Sequence, residues 1–313
     1  MAIDRFDYLP SIDRPVIRWP NGARLAFWIA PNIGHYEYLP LPDKVRNYWP
    51  RMAHPDTKFY AHHDYGNRVG FWRLAEVFEQ HKLRPTVALG IAMLEHFPEL
   101  RDAMVKRDWA FMSHGLYPMR TLYNLSIEDE RAYYRESCDL VLRHTGKPLK
   151  GMFGPLQSKT DRTPELMVEA GLIYHTDWFH DDQPFPLKVA GGARMVSVPY
   201  TQELNDSSLF KLNYEGEDFL RMVKDQFDVL YAEGEQSGRV LCISLHPFLT
   251  GQAHRIRYLD EALSYILSHE GVWRTTADEI AEYYLANYYD ETQRHVAQHR
   301  QQWPVRNLDE AGS

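Results

Sequence analysis

The sequence predicts an α/β fold, a closed or nearly closed barrel of about seven parallel strands. Two observations carry this, and a third says where to look for chemistry. Short apolar runs alternate with amphipathic segments along the chain, which implies a mostly parallel sheet with helical crossovers. About seven such units in 313 residues suit a barrel better than an open sheet. The apolar runs also end on polar or special residues: Asn32, His114, Gly154 with Pro155, Asp177, Tyr200 and His246. In a parallel barrel these ends share one face, and chemistry gathers there.

The elements follow in order. "RLAFWIAPN" (24–32) reads as a buried strand, because it is short, apolar and closed by Pro and Asn. "NRVGFWRLAEVFEQHK" (67–82) places Val69, Trp72, Val77 and Phe78 near one helical face. "RPTVALGI" (84–91) and "WAFMSHG" (109–115) are strands, separated by a helix over 93–107 that Pro98 must begin or interrupt. In the helix over 126–146, Ser126 caps the start, Glu128 and Asp129 favour the positive end, and Gly146 closes it. Strands are expected at 149–155, 171–178, 194–201 and 239–247. Between the last two, Phe219, Met222, Val223, Phe227 and Leu230 form one stripe of a long helix. A helix over 257–271, a short strand and a capped helix complete the pattern.

The chain reads as a single domain over 1–313. Residues 33–66 form an irregular insert rich in proline and aromatics; a loop of that length is usually functional, and it is expected to cover the barrel mouth. The tail over 287–313 is polar and is expected to be an exposed helix or a subunit contact.

Composition narrows the function. A net charge of −8, from 35 basic and 43 acidic residues, argues against a nucleic-acid binder, whose footprint is basic. It also fits an anionic membrane surface poorly. No apolar run approaches the ~20 residues of a membrane span, and the N-terminus lacks a signal-peptide layout. A cytoplasmic protein acting on a small molecule is therefore expected. Cys138 and Cys242 sit in apolar settings and read as reduced, buried thiols.

His114 and His246, each ending a strand, are the leading functional candidates. The densest polar stretch, "YHTDWFHDDQPFPL" (174–187), holds His175, Asp177, His180, Asp181 and Asp182. Its spacing matches no strong zinc pattern, so turn formation or substrate contact by Asp181 or Asp182 is the better reading. "HH" at 62–63 falls in the insert and carries less weight.

The order of several motifs resembles the polysaccharide deacetylase superfamily, most closely its branch of metal-independent allantoinases and cyclic-imide hydrolases. The motifs are "DYGNRVGFWRL" (64–74), "SHGL" (113–116), "DDQPFP" (181–186), "VPYTQELND" (198–206), "FDVLYAEGE" (227–235), "SLHPFLTGQAHR" (244–255) and "VWRTTADEIA" (272–281). The resemblance implies a deformed (β/α) barrel, a hydrolase of carbon–nitrogen bonds, and a homo-oligomer. Metal-dependent members carry paired aspartates after the first strand and a second histidine four residues after the first. Here those places hold Asn32 and Pro118. Lys150 stands where an arginine is usual, while His246 matches the catalytic histidine.

The expected activity is ring-opening of a cyclic ureide or imide without a metal cofactor. His246 would transfer a proton. His114 would orient or activate water, or donate to the oxyanion, and Asp182 or Glu37 would assist. Asn32, Asn205 and the backbone at Gly154 would bind the ring's carbonyl and N–H groups, against Tyr36, Trp178 and Tyr200. One rival is a zinc-dependent N-deacetylase of an acetylated sugar, with ligands drawn from His35, Glu37 or Asp64 beside His114. Another is a catalytically silent member that binds a ligand.

Overall fold

The computed structural model describes residues 5–40 and 55–303. Nine strands are found among them: β1 Leu25–Ile33, β2 Thr86–Leu89, β3 Ala110–Ser113, β4 Gly151–Met152, β5 Tyr174–His175, β6 Phe185–Leu187, β7 Met195–Ser197, β8 Arg239–Leu245 and β9 Val272–Arg274. Their order is β6-β7-β5-β4-β3-β2-β1-β8, with β9 also paired to β1. All pairings are parallel except β6 with β7. The sheet curls without β7 and β8 pairing, so it is a deformed, open (β/α) barrel with a seam between those strands.

The helices are α1 Thr57–Tyr65, α2 Phe71–Gln80, α3 Met93–His96, α4 Pro98–Lys106, α5 Ile127–Thr145, α6 Thr163–Glu169, α7 Asp206–Lys211, α8 Gly216–Glu233, α9 Ile256–Leu267, α10 Ala277–Asn287 and α11 Tyr289–Gln302. α5 follows its sequence signals closely. Ser126 accepts from the backbone N–H of Asp129 at 3.1 Å, and Gly146 is left-handed at φ 71°. Pro98 splits the expected 93–107 helix into α3 and α4, because proline at a first helical position starts a helix and cannot continue one.

Strand alternation sorts the core into two layers. Ala26, Trp28 and Ala30 of β1 meet Ala88, Met112, Phe153, Val240 and Cys242 inside the barrel. Leu25, Phe27 and Ile29 face outward with Leu241, Ile243 and Leu245, against Phe71, Phe78, Phe219 and Leu259 of the surrounding helices. Trp19, Ile280 and Tyr284 join the inner layer. Both cysteines are free, Cys242 buried and Cys138 half-buried.

Several expectations change. The 149–155 and 171–178 strands shrink to two residues each, since most of those positions serve as turns and strand-end loops. The 33–66 insert is not irregular throughout: its described end is α1, joined to α2 by a π-turn at Gly66–Gly70. Residues 41–54, the middle of the expected cover, lie outside the described residues. Within the 287–313 tail, α11 is amphipathic rather than simply exposed, and Val296 is buried with Leu9 and Phe185. Residues 304–313 also lie outside the described residues. No described helix is long and apolar enough to cross a membrane.

Candidate active site

β3 delivers His114 to the rim by continuing its ladder, with the His114 N–H donating to the Leu89 carbonyl at 2.7 Å. The imidazole is buried, stacked on Phe153 with centroids 4.9 Å apart, and its Nδ1 lies 3.0 Å from the Phe153 carbonyl. A carbonyl can only accept, so Nδ1 carries the proton and Nε2 offers a lone pair. Burial holds the pKa down at about 4; the Phe153 bond opposes this, and nearby His246 adds to it. His114 is therefore a neutral acceptor at neutral pH.

β8 delivers His246. Its Nδ1 lies 2.7 Å from Asp206 Oδ1, and Asp206 Oδ2 accepts from the His246 backbone N–H at 2.8 Å and Thr250 Oγ1 at 2.6 Å. Asp206 is fully buried and satisfied by three charge-assisted bonds. This fixes the histidine's orientation and leaves Nε2 as its reactive nitrogen. Asp206 opens α7, whose cap is Asn205: the Asn205 Oδ1 accepts from Ser207 N–H at 2.9 Å. Asn205 thus positions Asp206, and its side-chain carbonyl is engaged rather than free for a substrate.

The histidine expected to receive help from Asp182 receives it from Asp206. The Asp182 carbonyl accepts from Val240 N–H at 2.9 Å, at the start of β8. Six residues separate Val240 from His246, roughly 20 Å of strand. Asp182 instead lines a seam cavity of about 250 Å³ with Cys242 and Thr201. Burial is the main cause raising its pKa. Its neighbour Asp181 makes the expected turn, accepting from Gln183 N–H at 3.0 Å while pairing with Arg14 at 2.6 Å.

Asn32 and Tyr200 form a floor. Asn32 pairs in register with Ala88, which pairs with Met112, one pleat below His114. Asn32 Nδ2 donates to Ser244 Oγ at 3.0 Å and the Leu245 carbonyl at 3.2 Å; Tyr200 bonds Ser244 and stacks on Phe153 at 4.4 Å. Asn32 Oδ1 has no partner among the described residues but is closed off from solvent. Asn32 thereby reaches Leu245, the residue before His246, and Tyr200 reaches Phe153, the ring on which His114 stacks. Gly154 is likewise committed: its N–H donates to Asp177 Oδ1 at 2.8 Å and its carbonyl accepts from Gln157 at 2.8 Å. Trp178 packs on Phe6 at 5.2 Å, under Lys159. Lys150 is paired with Glu282 of α10 at 2.6 Å, ahead of β4 rather than at the rim, so it does not stand in for a site arginine.

Tyr36 is brought to the mouth. It lies 3.9 Å from the His63 ring and 6.1 Å from Phe248, and burial together with Asp206 raises its pKa. His63, given little weight in the sequence, completes this wall. Its Nδ1 donates to the Phe59 carbonyl at 2.7 Å, and burial drives its pKa down to about 3. Asp206 lay within a quoted motif, but nothing local distinguished it from Asp182. Its signal, an Asn-Asp pair opening a helix, becomes meaningful once Asn205 bridges to Ser244 of β8.

The motif at 64–74 holds the His246 turn. A Cβ at Gly70 would stand 1.9 Å from the Pro247 carbonyl, and one at Gly66 2.9 Å from the Phe248 nitrogen. Glycine at both positions lets the π-turn backbone approach the residues after His246, a use of π-turns common at functional sites.

The side chains that could hold the zinc of metal-dependent relatives are engaged elsewhere. Glu37 makes a two-point ion pair with Arg120, Asp64 pairs with Arg68, and His35 packs on His96 in a tilted contact with centroids 4.3 Å apart. Pro118 rests against the backbones of Gly34 and Gly90, so an apolar ring fills the place of a second histidine. Among the described residues no three His, Cys, Asp or Glu side chains converge as metal ligands, and zinc takes about three. The residues do not fit that ion, and the set of His114 with His35, Glu37 or Asp64 is not assembled.

No family model matches the chain. A Schizosaccharomyces pombe protein assigned as a polysaccharide deacetylase is 30% identical over 299 residues, covering 86% of this chain and 93% of that protein. The structure of a Pseudomonas aeruginosa PAO1 protein assigned to the same activity aligns with TM-score 0.77 at 26% identity, over 88% of this chain and 95% of that one. Puue allantoinase aligns with TM-score 0.76 at 26% identity, over 90% and 99%. The chain belongs to the polysaccharide deacetylase superfamily and is a hydrolase of carbon–nitrogen bonds other than peptide bonds.

Proposed function

We propose that this protein opens a cyclic ureide or imide ring by hydrolysis, without a metal. The observation that carries the reading is the pair of rim histidines, each with Nδ1 tied down: His114 to a carbonyl, His246 to Asp206. His114 Nε2 accepts from the attacking water and aligns it on the ring carbonyl. His246, protonated at Nε2 and backed by Asp206, gives its proton to the leaving ring nitrogen as the C–N bond breaks. Water supplies the oxygen of the new carboxylate, and its protons return to His246 and solvent. A ring ureide or imide suits this chemistry because a second carbonyl stabilises the departing nitrogen. The similarity to Puue allantoinase supports the substrate class.

The test is a substrate screen over cyclic ureides, imides and N-acetyl sugars, with and without chelator. The wild-type protein should open rings, and chelator should leave the rate unchanged. His114→Ala and His246→Ala should each lower kcat on the order of 10²–10⁴-fold with folding intact by circular dichroism. Full activity in either variant removes that residue from the mechanism. Turnover confined to acetylated sugars and lost on chelation replaces the reading with zinc-dependent deacetylation.

A further inference from the structure

The turn that carries His246 continues to Arg255 through a chain of short bonds. Leu249 N–H donates to the His246 carbonyl at 2.9 Å, Gln252 N–H to Leu249 at 3.2 Å, and Arg255 N–H to Gln252 at 3.0 Å. Gln252 Nε2 also holds the Phe248 carbonyl at 3.2 Å. The Arg255 guanidinium lies over the Phe210 ring, 3.9 Å from its centroid. Phe210 belongs to α7, four residues beyond Asp206, one helical turn or about 6 Å along the axis. Arg255 is thus anchored at both ends to elements that hold the His246–Asp206 pair.

Its polar atoms are not engaged by any of the described residues. Nε is shut away from solvent without an acceptor, and no ion pair or hydrogen bond from the guanidinium is found among the described residues. Burying such a donor unpaired is unfavourable. Arginines elsewhere in this acidic chain behave differently: Arg5, Arg14, Arg107, Arg120, Arg131 and Arg239 all pair with carboxylates. Two further cations, Lys58 and Lys211, are exposed nearby and close enough to His62 and His63 to disfavour charge on them. His62 in turn packs on Phe248 at 5.1 Å. Three cations, Arg255, Lys58 and Lys211, thus gather around His62 and His63 on a chain of net charge −8. A guanidinium centred 3.9 Å over an aromatic ring offers its two terminal nitrogens as a two-point carboxylate receptor.

We propose that Arg255, laid on Phe210, is a subsite for a carboxylate carried on a side arm of the ring substrate. The inference rests on the ring-hydrolysis reading and narrows its substrate class to anionic rings. The wild-type protein is compared with Arg255→Met, which keeps the stem on Phe210, and Arg255→Lys, which keeps charge without the planar fork. The probes are hydantoin bearing an acetate side chain and the methyl ester of the same compound. For the acetate form, Arg255→Met should raise KM tenfold or more, on the order of the loss of a charged hydrogen-bonded pair. Its kcat should stay within about threefold of wild type, because Arg255 stands outside the proton-transfer pair. Arg255→Lys should recover part of the loss, and KM for the ester should not change. Equal KM shifts for acid and ester, or no shift for either, overturn the assignment. A variant effect confined to inhibition by the ring-opened product, with substrate KM unchanged, also overturns it. If the wild-type protein opens no ring, the hydrolysis reading fails by itself. Calorimetric binding of the two probes then decides the subsite: tighter acetate binding by wild type than by Arg255→Met supports it, and equal binding refutes it.

Discussion

Asp182 and Asp206 are both aspartates close to a strand or helix end, yet the chain uses them differently. Asp206 is fully buried and has three donors, one of them the His246 imidazole. Asp182 sits by the start of β8, at the far end from the histidines. Asp206→Asn keeps the shape but removes the carboxylate that accepts from His246 Nδ1 and fixes the ring. Its kcat should fall on the order of 10²-fold or more. Asp182→Asn should stay within about twofold of wild type. Steady-state kinetics on the best ring substrate checks both; a larger loss in Asp182→Asn would restore it to the site.

At the scale of elements, the helix pair α1–α2 and the turn after β8 form one support. The π-turn between the helices presents Gly70 to the Pro247 carbonyl, where a methyl group would stand 1.9 Å away. Backbone cannot yield as a flexible side chain does, so Gly70→Ala must displace either the helix or the His246 turn. Expected are about 1–3 kcal/mol of lost stability and a fall in kcat that exceeds any change in KM. Chemical denaturation and kinetics measure the two effects. Wild-type values for both would mean that the close approach at Gly70 does not govern the turn.

For the whole molecule, burial of neutral histidines couples folding to pH. His114 and His63 have folded pKa values of about 4 and about 3, below the ordinary 6.5. The unfolded chain therefore binds more protons than the native one below pH 6.5. Their contribution is complete above about pH 6.5 and is lost as pH falls toward those values. For His114 the linked stability is on the order of 3 kcal/mol. Denaturation midpoints should drop between about pH 6.5 and pH 4. His114→Gln should flatten that slope, whatever its effect on absolute stability, and an unchanged slope would show that His114 does not titrate with folding.

The sequence by itself determined the barrel, because alternation of apolar runs and amphipathic stripes is a local property that the sheet and helices must satisfy. It also marked His114 and His246, since a polar residue closing an apolar strand is visible without coordinates. The tertiary structure decided which groups meet them. Asp206 and Asp182 carry the same carboxylate, and Asn205 differs from a ligand-binding asparagine only in capping α7. His63 reaches the mouth because α1 lays its ring on Phe248 at 4.1 Å, across 185 residues of chain. Contacts of that range depend on how the barrel closes, and no local pattern encodes them. The physical reason is direction: a strand pattern tells which residues end on the rim, but only the packed fold tells which way each neighbouring side chain points.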